Sequence, residues 1–477
     1  MFVGDFGVTA ARPTSFTLNG AAATPSALRP LSSVRGAADG VPAGSAAPRA
    51  FTGVYEFSGL NPGTRYRVGV AVGNERSAID AATLPERVAP ASAGGFDVML
   101  ASCFYRDEHS AGALSGAIRA LTGSLRAKPT GLRAPDCALF MGDQVYLDLP
   151  TLRDFPDRAE FLARKFEDDY RINWHSSLAP LLRVAPSACL PDDHEYWNNA
   201  PHPSPQNGNT LSAGGRQRWK QAAKTCYEAF AKPFNGRGTD SIDDPLVVTV
   251  HPISLFLADA RSKRDENRAF TLTPDCRKQL RAWIDELNAT GRIGVFVSGQ
   301  SLVRAPVASL PGKIADWEMP NYADYPALFA ELVRAKRRLL LVTGDVHWGR
   351  VMSAFDAVSG AERLQEVIVS PASLVSTVIA DQWKLFRGAF SGNAWPRHGG
   401  AETPPLRLLT GTGPAGSLRC RLGQASDAAP ARVKGDQLGL LSFDWTRARL
   451  RASVTYFPVH HAVHKPVRVP LFDEPLP

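Results

Sequence analysis

Six short apolar runs in this chain are each followed closely by polar or ionisable side chains. Cys103 follows the first run, Asp143 and Asp193 follow the second and third, and Asp345 and His347 follow the last. Thiolates, carboxylates and imidazoles are the groups with which proteins bind metal ions. Clustered carboxylates repel one another unless they are paired, and a bound cation removes that penalty. These residue types therefore predict a metal site.

Neutralisation by arginine is the alternative explanation for so many acidic groups. Arg106, Arg261, Arg264 and Arg350 lie close to the same run ends in the sequence and are the candidates for it. We predict a metal site. If arginines neutralise the acidic groups instead, these four residues should form ion pairs with them.

The spacing favours two metal ions. Asp143 and Tyr146 are three residues apart across a predicted turn, so both side chains can face one ion. Asp345 and His347 are two apart, and on an extended segment such residues point the same way. A glycine precedes each of the two aspartates, which allows a sharp turn and a close backbone approach. Asp143 is then a candidate bridge between ions about 3.5–4 Å apart, the separation typical of two-metal hydrolytic sites.

The elements that must position these residues are predicted from hydrophobic patterning. Runs of four to six apolar residues predict strands buried on both faces, with helices on each side. Such strands are predicted over 96–102, 137–141, 187–191, 245–250, 253–258, 293–297, 337–342 and 366–370. Helices are predicted over 111–123, 158–174, 214–231, 274–290 and 325–338. The class is α/β with a mixed or largely parallel sheet, in which ligands bind beyond the carboxyl ends of strands.

The N-terminal region has a different hydrophobic pattern. Alternating segments on either side of the Asn61-Pro62-Gly63 turn predict a hairpin of half-buried strands. They resemble the last strands of a fibronectin-type or immunoglobulin-like β-sandwich. We therefore predict a small β-sandwich domain over 1–86, a linker over 87–95, and an α/β domain over 96–477 that includes a C-terminal tail.

Composition narrows the function classes. The chain has 477 residues, 44% of them hydrophobic and 21% charged, which excludes a disordered or collagen-like protein. A net charge of +8 without a basic stripe argues against nucleic-acid specificity. No apolar run is long enough for a membrane span and no export signal is visible, so the expected location is cytoplasmic, or periplasmic or secreted if a signal was removed. The five cysteines other than Cys103 show no CxxC pairing and are expected to be core thiols.

Six motifs occur in order, each at a predicted strand end. They are MLASC at 99–103, GDQVY at 142–146, DDHEYWNN at 192–199, LADARSKRD at 257–265, GDVHWGR at 344–350 and IVSPAS at 368–373. Together they resemble the PhoD-like phosphatase family, a branch of the calcineurin-like metallophosphoesterases. The resemblance covers roughly residues 96–376. It implies a four-layer α-β-β-α sandwich with a two-metal site between the sheets.

The resemblance also implies ligands. Cys103 and Tyr146 would bind one ion as thiolate and phenolate, with His347 as its imidazole ligand, and Asp143 would bridge to the second ion. A thiolate with a phenolate favours a strongly Lewis-acidic ion, which by the resemblance is iron(III). The second ion would be held by Asp193 together with the aspartate of the GDVHWGR motif, Asp345, and a nearby asparagine. This oxygen-rich site suits Ca²⁺, Mn²⁺ or Mg²⁺, with Zn²⁺ as a further candidate.

The function expected from these motifs is hydrolysis of phosphate esters. The ion pair would lower the pKa of a bound water and present hydroxide in line with the phosphorus–oxygen bond. His194 and Arg106 would stabilise charge on the equatorial oxygens or protonate the leaving alkoxide. Small phosphodiesters are the expected substrates, with monoesters as well. The oligomeric state is not predicted.

Other residues of the motifs have both structural and functional interpretations. Asp192 is expected to cap a turn, whereas Asp259 and Arg261 are expected to form an ion pair. Gln300 is expected to be structural. For Asn198 and Asn199, metal contact and turn formation are equally favoured. For Trp348, a place in the wall of the substrate site and simple packing are equally favoured. The histidines of the PVHHAVHKP segment, His460, His461 and His464, are expected to be surface residues.

Three other functions remain open from the sequence. Two-metal sites often accept neutral esters, so a phosphotriester or phosphonate-ester hydrolase is the nearest alternative. A catalytically inactive binding protein on the same fold is another, although the intact set of ligands argues against it. A nuclease is the third, and the mild charge argues against it.

Overall fold

The computed structural model confirms a mixed α/β protein. The predicted apolar strands and helices are present, with differences at their ends, and further strands occur that were not predicted. It describes residues 1–35, 47–105, 111–149, 155–235, 245–303, 319–347, 349–356, 359, 361–373, 418–422, 432–433, 435–459 and 465–476. No helix in these ranges combines the length and the hydropathy needed to cross a membrane.

In residues 1–35 and 47–86, the regular elements of the N-terminal region are strands. They are β1 (Phe2–Phe6), β2 (Thr14–Leu18), β3 (Ala21–Ala23), β4 (Ser26–Ser33), β5 (Ala50–Glu56), β6 (Arg65–Val72) and β7 (Glu75–Ala82). One sheet has the order β1-β5-β4 and the other has the order β3-β2-β6-β7. Val3, Phe16, Tyr55 and Val72 form the small core between them. The hairpin predicted across the Asn61-Pro62-Gly63 turn is wrong. β5, before the turn, pairs with β1 and β4, whereas β6, after it, pairs with β2 and β7, so the turn connects the two sheets.

In the described residues after the N-terminal region, the chain forms two large sheets and six α-helices. The strands are β8 (Phe96–Ala101), β9 (Cys137–Met141), β10 (Ser187–Leu190), β11 (Leu246–Val250), β12 (Ile253–Leu257), β13 (Ile293–Val297), β14 (Leu339–Thr343), β15 (Gly349–Asp356), β16 (Glu362–Ile368), β17 (Leu418–Leu422), β18 (Arg432–Val433), β19 (Gln437–Thr446), β20 (Arg449–Pro458) and β21 (Val467–Pro475). The helices are α1 (Ala111–Ser124), α2 (Ala159–Ile172), α3 (Ala179–Leu182), α4 (Ala213–Phe230), α5 (Pro274–Thr290) and α6 (Tyr325–Leu332).

Both large sheets are mixed. The first has the order β10-β9-β8-β19-β20-β21, in which β10, β9 and β8 run parallel. The second has the order β11-β12-β13-β14-β16-β15-β17, with β18 also paired to β15, and its central strands β12, β13, β14 and β16 run parallel. The parallel strands in each sheet bring their carboxyl ends to one edge, which is where the chemistry-bearing residues follow them.

The two large sheets share one apolar core. Leu100 and Leu139 of the first sheet pack in the same cluster as Val295 and Val342 of the second. Neighbouring residues of a strand point to opposite faces, so β8 sends Leu100 into this shared core and its neighbour Met99 to the other face. This alternation explains the continuous apolar runs, because both faces of these strands are covered.

Helices cover the outer face of each sheet. Phe140 of β9 packs with Phe166 of α2 and Trp219 of α4 on the outer side of the first sheet. On the second sheet, Phe296 of β13 packs with Trp283 of α5, and α6 joins the same cluster. The layers therefore run helices, sheet, sheet, helices.

The described residues within 437–475, predicted to be part of a C-terminal tail, form strands of the first large sheet. β19 pairs antiparallel with β8 through Gly439–Phe443, so it lies in the middle of the first sheet, and β20 and β21 extend that sheet. Residues of β19 pack on both faces of the sheet. The sequence analysis missed these strands. The position of β19 depends on β8, more than 300 residues earlier, whereas β20 and β21 each pair with the strand before them in sequence.

Residues 87–95, predicted to be a linker, are anchored through Val88. Val88 is buried, and its backbone N–H donates to the carbonyl of His251 at 2.8 Å. Trp445 in turn donates its indole N–H to the carbonyl of Val88 at 3.1 Å. The N-terminal region is attached as well, since the buried Glu167 of α2 accepts from the backbone N–H of Ala50 at 2.7 Å. The connection between the regions is therefore packed rather than loose.

Candidate metal centre

The predicted site lies where the carboxyl ends of the parallel strands of both sheets meet. Beyond β8 and β9 the ladder continues, with the N–H of Cys103 donating to the carbonyl of Gly142 at 3.1 Å. The segment after β16 joins the two sheets, because Ala372 donates to the carbonyl of Ser102 at 2.8 Å and Ser373 donates to that of Cys103 at 3.1 Å. Strand ends distant in sequence are thus held in register around one point.

Glycines make this close approach sterically feasible. A Cβ on Gly344 would clash with the carbonyl oxygen of Met141 in the opposite sheet, and one on Gly142 would clash with Asp192. Gly142 also has a φ of 84°, in the left-handed region that favours glycine. The prediction that the glycines before Asp143 and Asp345 permit a close backbone approach is confirmed.

The first group of potential ligands contains Cys103, Asp143 and His347. One donor atom from each lies within 4.8 Å of the others, and Cys103 and Asp143 are fully buried. Tyr146 lies beside them; its hydroxyl is buried and has no well-formed hydrogen bond within the described ranges. A thiol, a carboxyl, an imidazole and an unsatisfied phenol around one point fit a metal ion.

The second group contains Asp143, Asp193 and His194, again with donor atoms within 4.8 Å of one another. Asp143 belongs to both groups, as expected of a bridging ligand. Asp345 is placed next to the first group through its backbone, whose carbonyl oxygen lies 3.8 Å from the Cys103 sulfur. Its carboxylate is in neither group, so the structure brings together five of the six predicted ligands if the neighbouring Tyr146 is included.

The electrostatics of the first group also fit a cation. Burial raises the pKa of the Cys103 thiol, the Tyr146 hydroxyl and the Asp143 carboxyl well above their ordinary values, and neighbouring acidic groups add to this. His194 opposes the shift at Asp143 only in part. No lysine or arginine of the described ranges forms an ion pair with Asp143. Since a metal ion would reverse these shifts, the group has the charge pattern of a site that needs one.

Asp193 is in a different environment. Burial alone would raise its pKa, but the nearby Arg261 and His194 lower it below the ordinary value, helped by the backbone N–H of Asn199. That N–H donates to the Asp193 carboxylate at 2.7 Å. Asp193 is therefore held ionised without any metal, which suits an oxygen ligand for a hard cation.

The site is built on strained backbone. Cys103, Asp143, Asn199, Asp345 and His347 all have positive φ values, between 55° and 73°. Non-glycine residues adopt this left-handed region only when their surroundings impose it, and such residues cluster at functional sites. The strain shows that the positions of these side chains are imposed by the tertiary structure.

The arginine alternative holds for Arg261, which pairs with an acidic residue of the motifs. Arg261 donates from Nε to Asp192 at 2.7 Å and from Nη1 to the carbonyl of Ala200 at 2.7 Å. Arg350 instead pairs with the buried Glu366 within the second sheet. Arg264 donates to Gln300 at 2.7 Å, which agrees with a structural role for that glutamine. Arg106 lies outside the described residues.

The remaining motif residues mostly stabilise loops. Asp192 forms a capping box with Glu195, as predicted for a turn cap. Asp259 accepts from the backbone N–H groups of Arg261 and Ser262 at 3.0 and 2.9 Å, and Arg261 forms an ion pair with Asp192. The backbone N–H of Asn198 donates to the carboxylate of Asp148 at 2.7 Å. Trp348 and the histidines His460, His461 and His464 lie outside the described residues.

Of the five other cysteines, the four whose surroundings the structure describes are buried in the hydrophobic clusters, as predicted; they are Cys137, Cys189, Cys226 and Cys276.

Three residues that the sequence analysis did not assign to the site hold it in place. Glu195, fully buried, accepts from the backbone N–H groups of Asp143, Gln144 and Asp192 at 2.5–2.8 Å. Ser370 donates its hydroxyl to the Cys103 sulfur at 3.2 Å, and Asp148 bonds to His194. Glu195 and Ser370 lie inside quoted motifs, and that position was the only signal for them.

Glu195→Gln is expected to destabilise the site. Each Glu195 oxygen accepts backbone N–H groups, so an amide must point its own NH₂ at one of them and leave that donor unsatisfied. The expected loss is about 1–3 kcal/mol of unfolding free energy together with weaker metal binding. Urea unfolding and calorimetric metal titration measure the two effects. Glu228→Gln in α4, where the side chain is 39% exposed, is the matched control, and equal behaviour of the two variants would contradict the role of Glu195.

Comparison with models of known protein families finds no match to the chain, and comparison with curated proteins finds none either. The case for a function therefore rests on the geometry and chemistry of the site.

Proposed function

We propose that this chain is a metal-dependent phosphoric ester hydrolase that acts on phosphodiesters and also on phosphomonoesters. The observation that carries the proposal is the pair of ligand groups that share Asp143. Two ions clamped in this way stabilise both the attacking and the leaving oxygen of an in-line displacement at phosphorus. The order of layers and the position of the site at the sheet ends support a metallophosphoesterase sandwich of the PhoD-like type.

The two ligand groups differ in their donors, which supports two different ions. Cys103, Tyr146 and His347 would hold a strongly Lewis-acidic ion, and we propose iron(III) there. Asp143 and Asp193 offer oxygen atoms to the second ion, for which Ca²⁺ is proposed ahead of Mn²⁺, Mg²⁺ or Zn²⁺.

When bound, the two ions would lower the pKa of the attacking water and neutralise charge on the phosphoryl oxygens. The chain itself contributes His194, whose side chain is largely buried next to Asp143 and Asp193. His194 would donate a hydrogen bond to an oxygen of the reacting phosphate group. The water oxygen would bond to phosphorus as the ester bond breaks, the proton given up by that water would balance the one taken up by the leaving oxygen, and no covalent phosphoenzyme would form.

Metal analysis and parallel assays test the proposal. The purified protein is expected to contain two metal ions per chain, and to hydrolyse bis-p-nitrophenyl phosphate faster than p-nitrophenyl phosphate and a phosphotriester. The same sample stripped with a chelator is the control, and its activity should return with the metals. Higher activity on the triester would favour the phosphotriesterase alternative. Absence of both metal and turnover in a metal-supplemented sample would leave the binding protein as the better account.

A further inference from the structure

Ser370 stands between two of the proposed ligands of the first group. Its hydroxyl donates to the Cys103 sulfur at 3.2 Å, and its oxygen accepts from the backbone N–H of His347, also at 3.2 Å. Ser370 and Cys103 are both 0% exposed, so bulk water does not compete for the hydrogen bond between them. One serine therefore joins the side chain of one ligand to the main chain of another.

The direction of both hydrogen bonds follows from the chemistry of the atoms. A backbone N–H only donates, so the Ser370 oxygen is the acceptor towards His347, and the single hydrogen of the hydroxyl is left for the Cys103 sulfur. The Cys103 thiol lies 3.4 Å from a carboxylate oxygen of Asp143, which accepts its hydrogen in the metal-free protein. A cysteine binds a metal ion as the thiolate, so that hydrogen leaves on metal binding while the donor from Ser370 stays.

The main chain that carries the Ser370 hydroxyl is fixed by the C-terminal part of the first sheet. Gln437, the first residue of β19, donates from Nε2 to the carbonyl of Ser370 at 2.9 Å. Its backbone N–H donates to the carbonyl of Pro371 at 2.8 Å, and Gln437 is 1% exposed. The position from which the hydroxyl reaches the sulfur is thus set by packing between the two sheets.

We propose that Ser370 is a positioning residue that limits how strongly the Cys103 sulfur donates electrons to a metal ion at the first group. The inference rests on the metal centre of the proposed function, but it does not depend on the reaction. A hydrogen bond to a thiolate sulfur draws electron density away from the metal–sulfur bond, which is one way in which proteins adjust such sites. An ion held there then keeps more positive charge with which to polarise an oxygen atom of the substrate. Ser370 acts through Cys103 and not by contact with the substrate.

Cobalt(II) added to the full-length, chelator-stripped protein tests the inference without an assay of activity. Cobalt(II) bound to a thiolate has a sulfur-to-metal charge-transfer absorption band, and Cys103→Ser, which should lack that band, assigns it. In Ser370→Ala the band is expected at longer wavelength, because a sulfur without its hydrogen bond gives up an electron to the metal more easily. Ser370→Thr, which keeps the hydroxyl, is expected to restore the wild-type band.

Ser373→Ala is the matched control. Ser373 is also 0% exposed and lies in the same segment, but its hydroxyl donates to the carbonyl of Tyr105 at 2.9 Å. The band of this variant should stay at the wild-type wavelength. Ser370→Ala is also expected to bind cobalt(II) about 10-fold more weakly, the lower end of what the hydrogen-bond partners of metal ligands contribute.

The position of the band separates adjustment of the sulfur from simple support of the structure. Weaker cobalt(II) binding by Ser370→Ala with an unmoved band would show that the serine only supports the structure, and would overturn the inference. An equal shift in Ser373→Ala, or a wild type without the band, would overturn it as well. If the band moves as expected but the wild type hydrolyses no phosphate ester, the proposed function fails and the role of Ser370 stands.

Discussion

Asp143→Asn is expected to abolish metal binding and ester hydrolysis together. Asp143 is the residue common to both ligand groups. An amide in its place carries no negative charge with which to bridge two cations. Turnover should fall to the level of the chelator-stripped wild type, and elemental analysis should find fewer than two ions per chain. Activity on bis-p-nitrophenyl phosphate and metal content are measured on the same samples.

The metal-free form of this variant sharpens the prediction. Burial raises the pKa of Asp143, so its folded-state pKa lies above its unfolded value. The folded state therefore loses stability as the pH rises from the unfolded-state pKa of this group through its folded-state pKa, because ionisation of the carboxyl is less favourable in the buried site. At neutral pH the metal-free Asp143→Asn protein should therefore unfold at a urea concentration no lower than that of the metal-free wild type.

Asp324→Asn is the matched control for Asp143→Asn. It changes a buried carboxylate to an amide at a point that belongs to neither ligand group, and it should retain metal and turnover. Full activity in Asp143→Asn would contradict the bridging role. Loss of activity with both ions retained would show that Asp143 acts in another way than by holding them.

Of the substitutions proposed, Arg261→Met is expected to lower the free energy of unfolding the most. Arg261 is 3% exposed and pairs with Asp192, which is 1% exposed, while its Nη2 also lies 3.9 Å from Asp193. Removal of one partner of a buried pair leaves an uncompensated charge in a medium that solvates it poorly. We expect the free energy of unfolding, measured in urea, to fall by about 3–5 kcal/mol.

The effect of Arg261→Met should reach the metal centre as well. Arg261 lowers the pKa of Asp193, so without the guanidinium this carboxyl takes up a proton more readily and binds a cation less well. Arg449→Met is the matched control, because Arg449 pairs with Asp473 at an exposed position on the surface and should contribute little. Equal destabilisation by the two substitutions would contradict the importance of burial at Arg261.

Much of the candidate site could be predicted because it follows a rule about sheets. Cys103, Asp143 and Asp193 directly follow parallel strands of the first sheet, and His347 follows one of the second. Parallel strands in one sheet end at the same edge, so residues after several of them meet without any further assumption. The apolar runs that identify these strands are continuous, because both faces of each sheet are covered.

Other parts could not be predicted, since they depend on contacts between distant segments. β19 fills the centre of the first sheet, but its partner β8 lies more than 300 residues earlier in the chain. Asp148 lies close to Asp143 in sequence, yet its value to the site comes from His194, 46 residues later. A single acidic residue after a turn has no local feature that indicates such a partner.

The sequence by itself determined the α/β class, the edge of the sheets at which the chemistry lies, and most of the ligand types. Only the tertiary structure decided which groups meet. It places Asp143 in both ligand groups, keeps the carboxylate of Asp345 out of them, and assigns Arg261 to Asp192. The physical reason is that residue type and strand order limit what can come to an edge, whereas left-handed backbone turns and packing between two sheets set the direction of each side chain.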